Sequence, residues 1–160
     1  MSIADLLQLR PQLNLDFEVF IEHKLPDYVP TSAIILIVRP EKKSGHWVCY
    51  HKISPKVIVY FNSLGVIVDE NIETYLKDYT VYYSDNMIQD FGSKWCGHYC
   101  LHFLYNLKND PDFDFETYLY SWGRDREVND TRIYRELSEL LYSGSGTGKE
   151  ENTDKIISEL

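Results

Sequence analysis

Three strand-type segments crowd the first half of the chain: SAIILIV (Ser32–Val38), WVCYHKI (Trp47–Ile53) and VIVYF (Val57–Phe61). β-Branched and aromatic residues dominate them. The first is apolar throughout and reads as buried on both faces, whereas the second mixes in polar residues. The short link ISPK (Ile53–Lys56) makes an antiparallel pair of the second and third. DENIETYLKDY (Asp69–Tyr79) then reads as a helix and TVYYS (Thr80–Ser84) as a fourth strand. Beyond residue 94 the periodicity is helical. Strands in the middle followed by helices indicate an α+β fold rather than a repeating βαβ unit.

The remaining segments fit around that sheet. SIADLLQL places Ser2 three residues before Asp5, close to a capping box, and starts a short helix. LDFEVFIEHKL (Leu15–Leu25) reads as a second helical turn or two, and Pro26 and Pro30 bracket an extended connection. From Trp95 to about Leu107, residues Cys96, Cys100, Phe103, Leu104 and Leu107 share one helix face. DFETYLYSW and DTRIYRELSELLY suggest two more helices, the second capped by Asp130. From Ser143 the chain turns Gly/Ser-rich and then charged, which cannot bury much apolar surface. The division is therefore one folded domain over 1–142 and a flexible tail over 143–160.

Composition narrows the function classes. The longest apolar run, Ala33–Val38, falls far short of the roughly 18 residues that span a membrane. MSIADLLQLRP lacks the basic-then-apolar pattern of a secretory signal, so the expectation is a chain that is not secreted and has no membrane partner. Three cysteines are too few, and odd in number, for a disulfide framework, which points to a reducing compartment. A formal charge of −9 counts against binding nucleic acid, although RPEKK (Arg39–Lys43) is locally basic. A basic or neutral protein partner suits that charge.

Chemistry concentrates in DFGSKWCGHYCLHFLYNL (Asp90–Leu107). Cys96 falls on the first turn of a helix, where unpartnered backbone N–H groups favour a thiolate and lower the thiol pKa. Three readings compete there. A free cysteine is among the most buried residue types, and for Cys49 and Cys100 the core reading stands. A metal site would draw on Cys96, Cys100, His98 and His102, but no distant second Cys pair exists and the two pairs face different ways. His98 and His102 are then solvent-facing or packing residues. The nucleophile reading needs a base and an orienting group, and His46 at one strand's start and Asn62 at the next strand's end are neighbours across an antiparallel pair. Asn62 can hold the imidazole by its side-chain oxygen, as in Cys-His-Asn proteases. Gln89, seven residues before Cys96, is an uncharged donor suited to an oxyanion, together with the Cys96 N–H.

GHW (Gly45–Trp47), YFNSLG (Tyr60–Gly65), Gln89 and WCGHYCLHFL (Trp95–Leu104) resemble the signature of the adenain/Ulp-type cysteine protease superfamily. Chain length and the Gln-to-Cys spacing resemble the adenovirus-like branch, including virophage enzymes of the mavirus type. The resemblance implies a papain-like/adenain-like fold: a small central mixed β-sheet flanked by helices, with the nucleophile at the N-terminus of a core helix. It implies His46 as general base, Asn62 as orienting residue, Gln89 as oxyanion-hole amide and Cys96 as nucleophile. Trp47, Gly97 and Trp95 would line the substrate site. Asn62 departs from the Asp or Glu of many members, so the imidazolium lacks a fixed anion.

The implied activity is a maturation endopeptidase cleaving capsid and core precursors at Gly-containing sites. Such an enzyme works in the host cytoplasm or virus factory and is packaged in the virion. No cofactor is required by the sequence. An activating peptide stays open as a partner, while the acidic charge counts against the DNA activator used by the adenovirus enzyme. LLYSGSGTG (Leu140–Gly148) loosely resembles a cleavable segment. The same site also serves deSUMOylase- or deubiquitinase-like isopeptidases and, with acetyl-CoA, acetyltransferases. An inert scaffold protein carrying the fold is the non-enzymatic alternative.

Overall fold

The computed structural model of the chain describes residues 1–38, 45–65 and 68–143. The basic run Arg39–Lys43 and residues 144–160 of the tail expected over 143–160 lie outside the described residues, and Ser143 is the last residue of a helix. The architecture is α+β, with a five-stranded mixed sheet in the order β1-β2-β3-β4-β5 and helices on both faces.

The strands are β1 (Glu18–Ile21), β2 (Ser32–Ile37), β3 (His46–Ser54), β4 (Val57–Phe61) and β5 (Thr80–Tyr83). β2, β3 and β4 pair antiparallel, while β1 and β5 add in parallel at the two edges. The Pro55–Lys56 turn closes the β3–β4 hairpin, and the register shifts between Lys52 and Ser54. β1 corrects the sequence reading, which made Leu15–Leu25 helical. Val19, Phe20 and Ile21 are strand formers whose backbone pairs with β2, from Glu18 against Ala33 to Ile21 against Leu36. Only Glu22–Lys24 keeps a helical turn, of the 3-10 kind.

The apolar run in β2 is explained by period two. Ala33, Ile35 and Ile37 pack on one face with Val48, Tyr50, Ile58 and Tyr60, beneath Ile72 and Leu76. Ile34 joins Cys49, Val59 and Phe61 on the other face, against the large helical core. Both faces of the sheet are covered.

Among the described residues five α-helices complete the fold: α1 (Ile3–Gln12), α2 (Glu70–Tyr75), α3 (Cys96–Asn109), α4 (Phe115–Tyr120) and α5 (Arg126–Ser143). The capping box at α1 is present, with Ser2 Oγ accepting from Asp5 N–H and the Asp5 carboxylate from Ser2 N–H. α2 stops short of Tyr79 because Lys77 and Tyr79 close successive tight turns, which set Thr80 N–H on Lys56 O at 2.9 Å. α5 begins four residues before Asp130, and the Asp125 carboxylate accepts from Val128 N–H at its start. Asp130 is therefore not its cap; it lies inside the helix and accepts from the Tyr99 hydroxyl at 2.7 Å.

α3 departs most from its sequence reading. Its residues from Cys96 to Leu104 are all buried, not one face alone. It runs through the middle of the domain, packed on β3 and α5, so every side meets protein. That is why His98 and His102, 1% and 4% exposed, are packing residues and not solvent-facing ones.

Candidate active site

Cys96 is the first residue of α3, and Trp95 precedes it without a side-chain cap. The Trp47 backbone N–H points at Cys96 Sγ, at 3.4 Å. Residues 47 and 96 are thus joined through the end of β3. Burial pushes the Cys96 thiol above its ordinary value, and the N–H groups of Trp47 and Gly97 offset that only in part. The direction is the opposite of the lowering expected from the helix start, because the sulfur is desolvated.

His46 opens β3, paired with Ile37 of β2. The β3–β4 ladder ends at Cys49 and Phe61, so the chain leaving β4 at Asn62 runs on beside the start of β3. His46 Nε2 lies 2.7 Å from Asn62 Oδ1. The same Oδ1 accepts from Leu64 N–H at 3.0 Å, which identifies it as the oxygen. Nε2 must then carry the hydrogen, leaving Nδ1 as the basic nitrogen of the neutral ring. Asn62 is itself held at both backbone groups by Ser84 Oγ, at 2.8 and 3.1 Å.

Gln89 is 1% exposed, and both ends of its amide are occupied. Oε1 accepts from the Ser63 hydroxyl at 2.6 Å, and Nε2 donates to Ser93 O and Ser93 Oγ at 2.8 and 2.9 Å. Asn129 of α5 donates to Ile88 O at 3.0 Å and braces this segment from the opposite side.

His46, Trp47, Asn62, Gln89 and Cys96 all line one cleft of about 940 Å³, bordered by Met1, Leu36, Phe91 and Ser93. Trp47 donates its indole N–H to Met1 O at 2.9 Å. Gly97 lies under the same residue: a Cβ there would come within 2.7 Å of Met1 Sδ and 3.2 Å of the Trp47 ring. Trp95 turns elsewhere, its ring edge-on to His98 at 4.6 Å and to Tyr134 at 5.5 Å. Of the seven residues singled out from sequence, the structure gathers five on the cleft, with Gly97 packed behind it and Trp95 outside it.

The other thiols and imidazoles belong to the core. Cys49 and Cys100 are buried and free. His102 meets the Tyr118 hydroxyl at 2.8 Å and Glu136 at 3.6 Å. Neither ring nitrogen of His98 has a hydrogen-bond partner, and burial lowers its pKa to about 3. Among the described residues, no group of three or more His, Cys, Asp and Glu converges as a metal site. Among the same residues, no helix is long and apolar enough to cross a membrane.

Sequence reasoning missed Ser63, Ser84, Ser93 and Met1. Ser63 stood in the quoted YFNSLG segment, directly after Asn62, and that adjacency was its one available signal.

No family model matches the chain, and no curated protein matches it. Among solved structures it is similar to the ASFV pS273R protease. Against the selenomethionine form the identity is 15% and the TM-score 0.46, covering 66% of this chain and 44% of that one. Against a second crystal structure of the same protease the identity is 16% and the TM-score 0.42, covering 66% and 43%. The chain spans under half the length of that protease.

Proposed function

We propose that the chain is a cysteine endopeptidase with Cys96 as nucleophile, His46 as general base, Asn62 as orienting residue and Gln89 as oxyanion donor. One observation carries the reading: the His46–Asn62 hydrogen bond and the Trp47 N–H on Cys96 Sγ meet in a single cleft at the start of α3. A buried structural thiol such as Cys100 has no such surroundings.

In this scheme His46 Nδ1 takes the Sγ proton as sulfur attacks the peptide carbonyl carbon. The carbonyl oxygen gains the charge and is met by backbone N–H at the helix start and by the Gln89 amide. His46 then protonates the amine as the C–N bond breaks, leaving a thioester on Cys96. Water, losing its proton to His46, cleaves the thioester and restores the thiol. Burial raises the Cys96 thiol pKa, and in this scheme deprotonation accompanies attack.

For substrate, the motif resemblance favours protein precursors cut at Gly-containing sites, as in capsid and core maturation by adenovirus-like or virophage proteases. The same resemblance favours work in the host cytoplasm or virus factory and packaging in the virion. A peptide activator fits this scheme better than DNA, given the charge of −9. The test is incubation with capsid and core proteins encoded beside it, mapping new N-termini by mass spectrometry. New termini that vanish with Cys96→Ala and His46→Ala support the reading. Termini that persist in both variants, or no cleavage and no labelling of Cys96 by a peptide aldehyde, overturn it.

A further inference from the structure

The turn after β4 holds more than the imidazole. Ser93 O is a carbonyl and can only accept, so the atom of Gln89 facing it at 2.8 Å is Nε2. The atom facing Ser63 is then Oε1, and the Ser63 hydroxyl must be the donor in their 2.6 Å bond. Ser63 also receives the backbone N–H groups of Ile88 and Gln89 on its carbonyl, at 2.8 and 3.0 Å. Ser63 is 1% exposed and lies behind Gln89, while Gln89 and Ser93 border the cleft. Without that hydroxyl, Oε1 would be buried with no donor, and the carboxamide would be held at its Ser93 end alone.

Gly65 makes this docking sterically feasible. It sits at φ +59, and a Cβ there would come within 2.5 Å of the Asn86 backbone. One four-residue turn, Asn62 to Gly65, therefore orients the base through its first residue and reaches Gln89 through its second.

We infer that Ser63 is a positioning residue for the oxyanion site: its hydroxyl fixes the Gln89 carboxamide with the NH2 end on Ser93, at the border of the cleft that Cys96 also lines. In the structure both amide hydrogens rest on Ser93 oxygens, and a developing oxyanion takes over one of them. This rests on the peptidase reading, and it assigns Ser63 no contact with substrate.

The test compares two small electrophiles on Cys96. p-Nitrophenyl acetate acylates it: the Sγ–C bond forms, the Sγ proton passes to His46, the carbonyl oxygen becomes an oxyanion, and nitrophenolate leaves. Iodoacetamide alkylates the same sulfur at a saturated carbon, with iodide leaving and no oxyanion. Gln89→Ala is expected to slow acylation by roughly 100-fold and Ser63→Ala by roughly tenfold, with Cys96 alkylation within twofold of wild type in both. The double variant should be no slower than Gln89→Ala alone, and Ser63→Thr should restore the rate. Should Ser63→Ala not fold, Ser63→Cys, close in size and a weaker donor, takes its place with an intermediate loss. Acylation unchanged in the Ser63 variant, multiplicative losses in the double variant, or alkylation falling in parallel overturns the inference. An acylation burst that survives Cys96→Ala overturns the peptidase reading itself.

Discussion

Cys96 and Cys100 stand one turn apart on α3, both buried and both with thiol pKa values raised chiefly by desolvation. Their surroundings differ in kind. Around Cys96 the cleft end of the helix offers backbone N–H groups, a ring-bearing strand end and an amide, each fixed by hydrogen bonds. Around Cys100 the interior offers Cys49, whose thiol reaches Cys100 O at 4.0 Å, and then aromatic packing. Phe61 and Phe103 stack there at 4.7 Å and 5°, with Tyr118 edge-on to both. The raised thiol pKa is common to both positions and does not tell them apart. The backbone N–H groups at the Cys96 sulfur and the cleft beside it do.

The largest expected effect would break that comparison outright. Cys96→Ala should lower peptidase turnover by roughly 10⁴-fold or more, whereas Cys100→Ala should leave kcat within a few-fold and cost about 1 kcal/mol of stability. Kinetics and denaturant unfolding on both variants read this, and equal kinetic losses would erase the distinction. Phe103→Ala should show the reverse profile, costing about 3–5 kcal/mol in unfolding free energy.

His98 sharpens the contrast through pH. Its folded pKa of about 3 lies below the unfolded value near 6.5, so the fold disfavours the proton. Its neutral form is accommodated above pH 6.5, and stability drains away below it by about 1.4 kcal/mol per pH unit down to about pH 3. His98→Leu should flatten that acid limb relative to wild type in denaturation series at pH 7, 6 and 5. A limb unchanged by the substitution would mean that the ring finds a partner on protonation.

The smallest effect is at the orienting residue. Asn62→Ala should reduce kcat about tenfold, the worth of one hydrogen bond on the imidazole. Asn62→Asp should instead raise the imidazole pKa and move the acid limb of the rate profile upward. Stopped-flow or steady-state profiles across pH 5 to 8 separate the two, and identical profiles would remove Asn62 from the site.

Strand positions were legible from local pattern: Val57–Phe61 agrees end to end, and β2 and β3 agree to within one residue at each end. Composition and periodicity are local properties, and these strands obey them. Leu15–Leu25 misled because its alternation is short and mixed, and only pairing with β2 makes Glu18–Ile21 a strand. His98 and His102 misled because nothing in their spacing reveals a helix enclosed on all sides.

Residue order alone was enough to nominate His46, Asn62, Gln89 and Cys96, since strand ends and helix starts are places where backbone and side-chain chemistry can converge. Tertiary structure decided which atoms face one another: that Asn62 presents oxygen to Nε2, that Ser63 governs the Gln89 amide, and that Trp95 leaves the cleft. Hydrogen bonds are directional over about 3 Å, and no one-dimensional pattern carries direction. Desolvation of the Cys96 sulfur likewise depends on everything packed around it, so the direction of its pKa shift follows from the folded surroundings more than from its place on a helix.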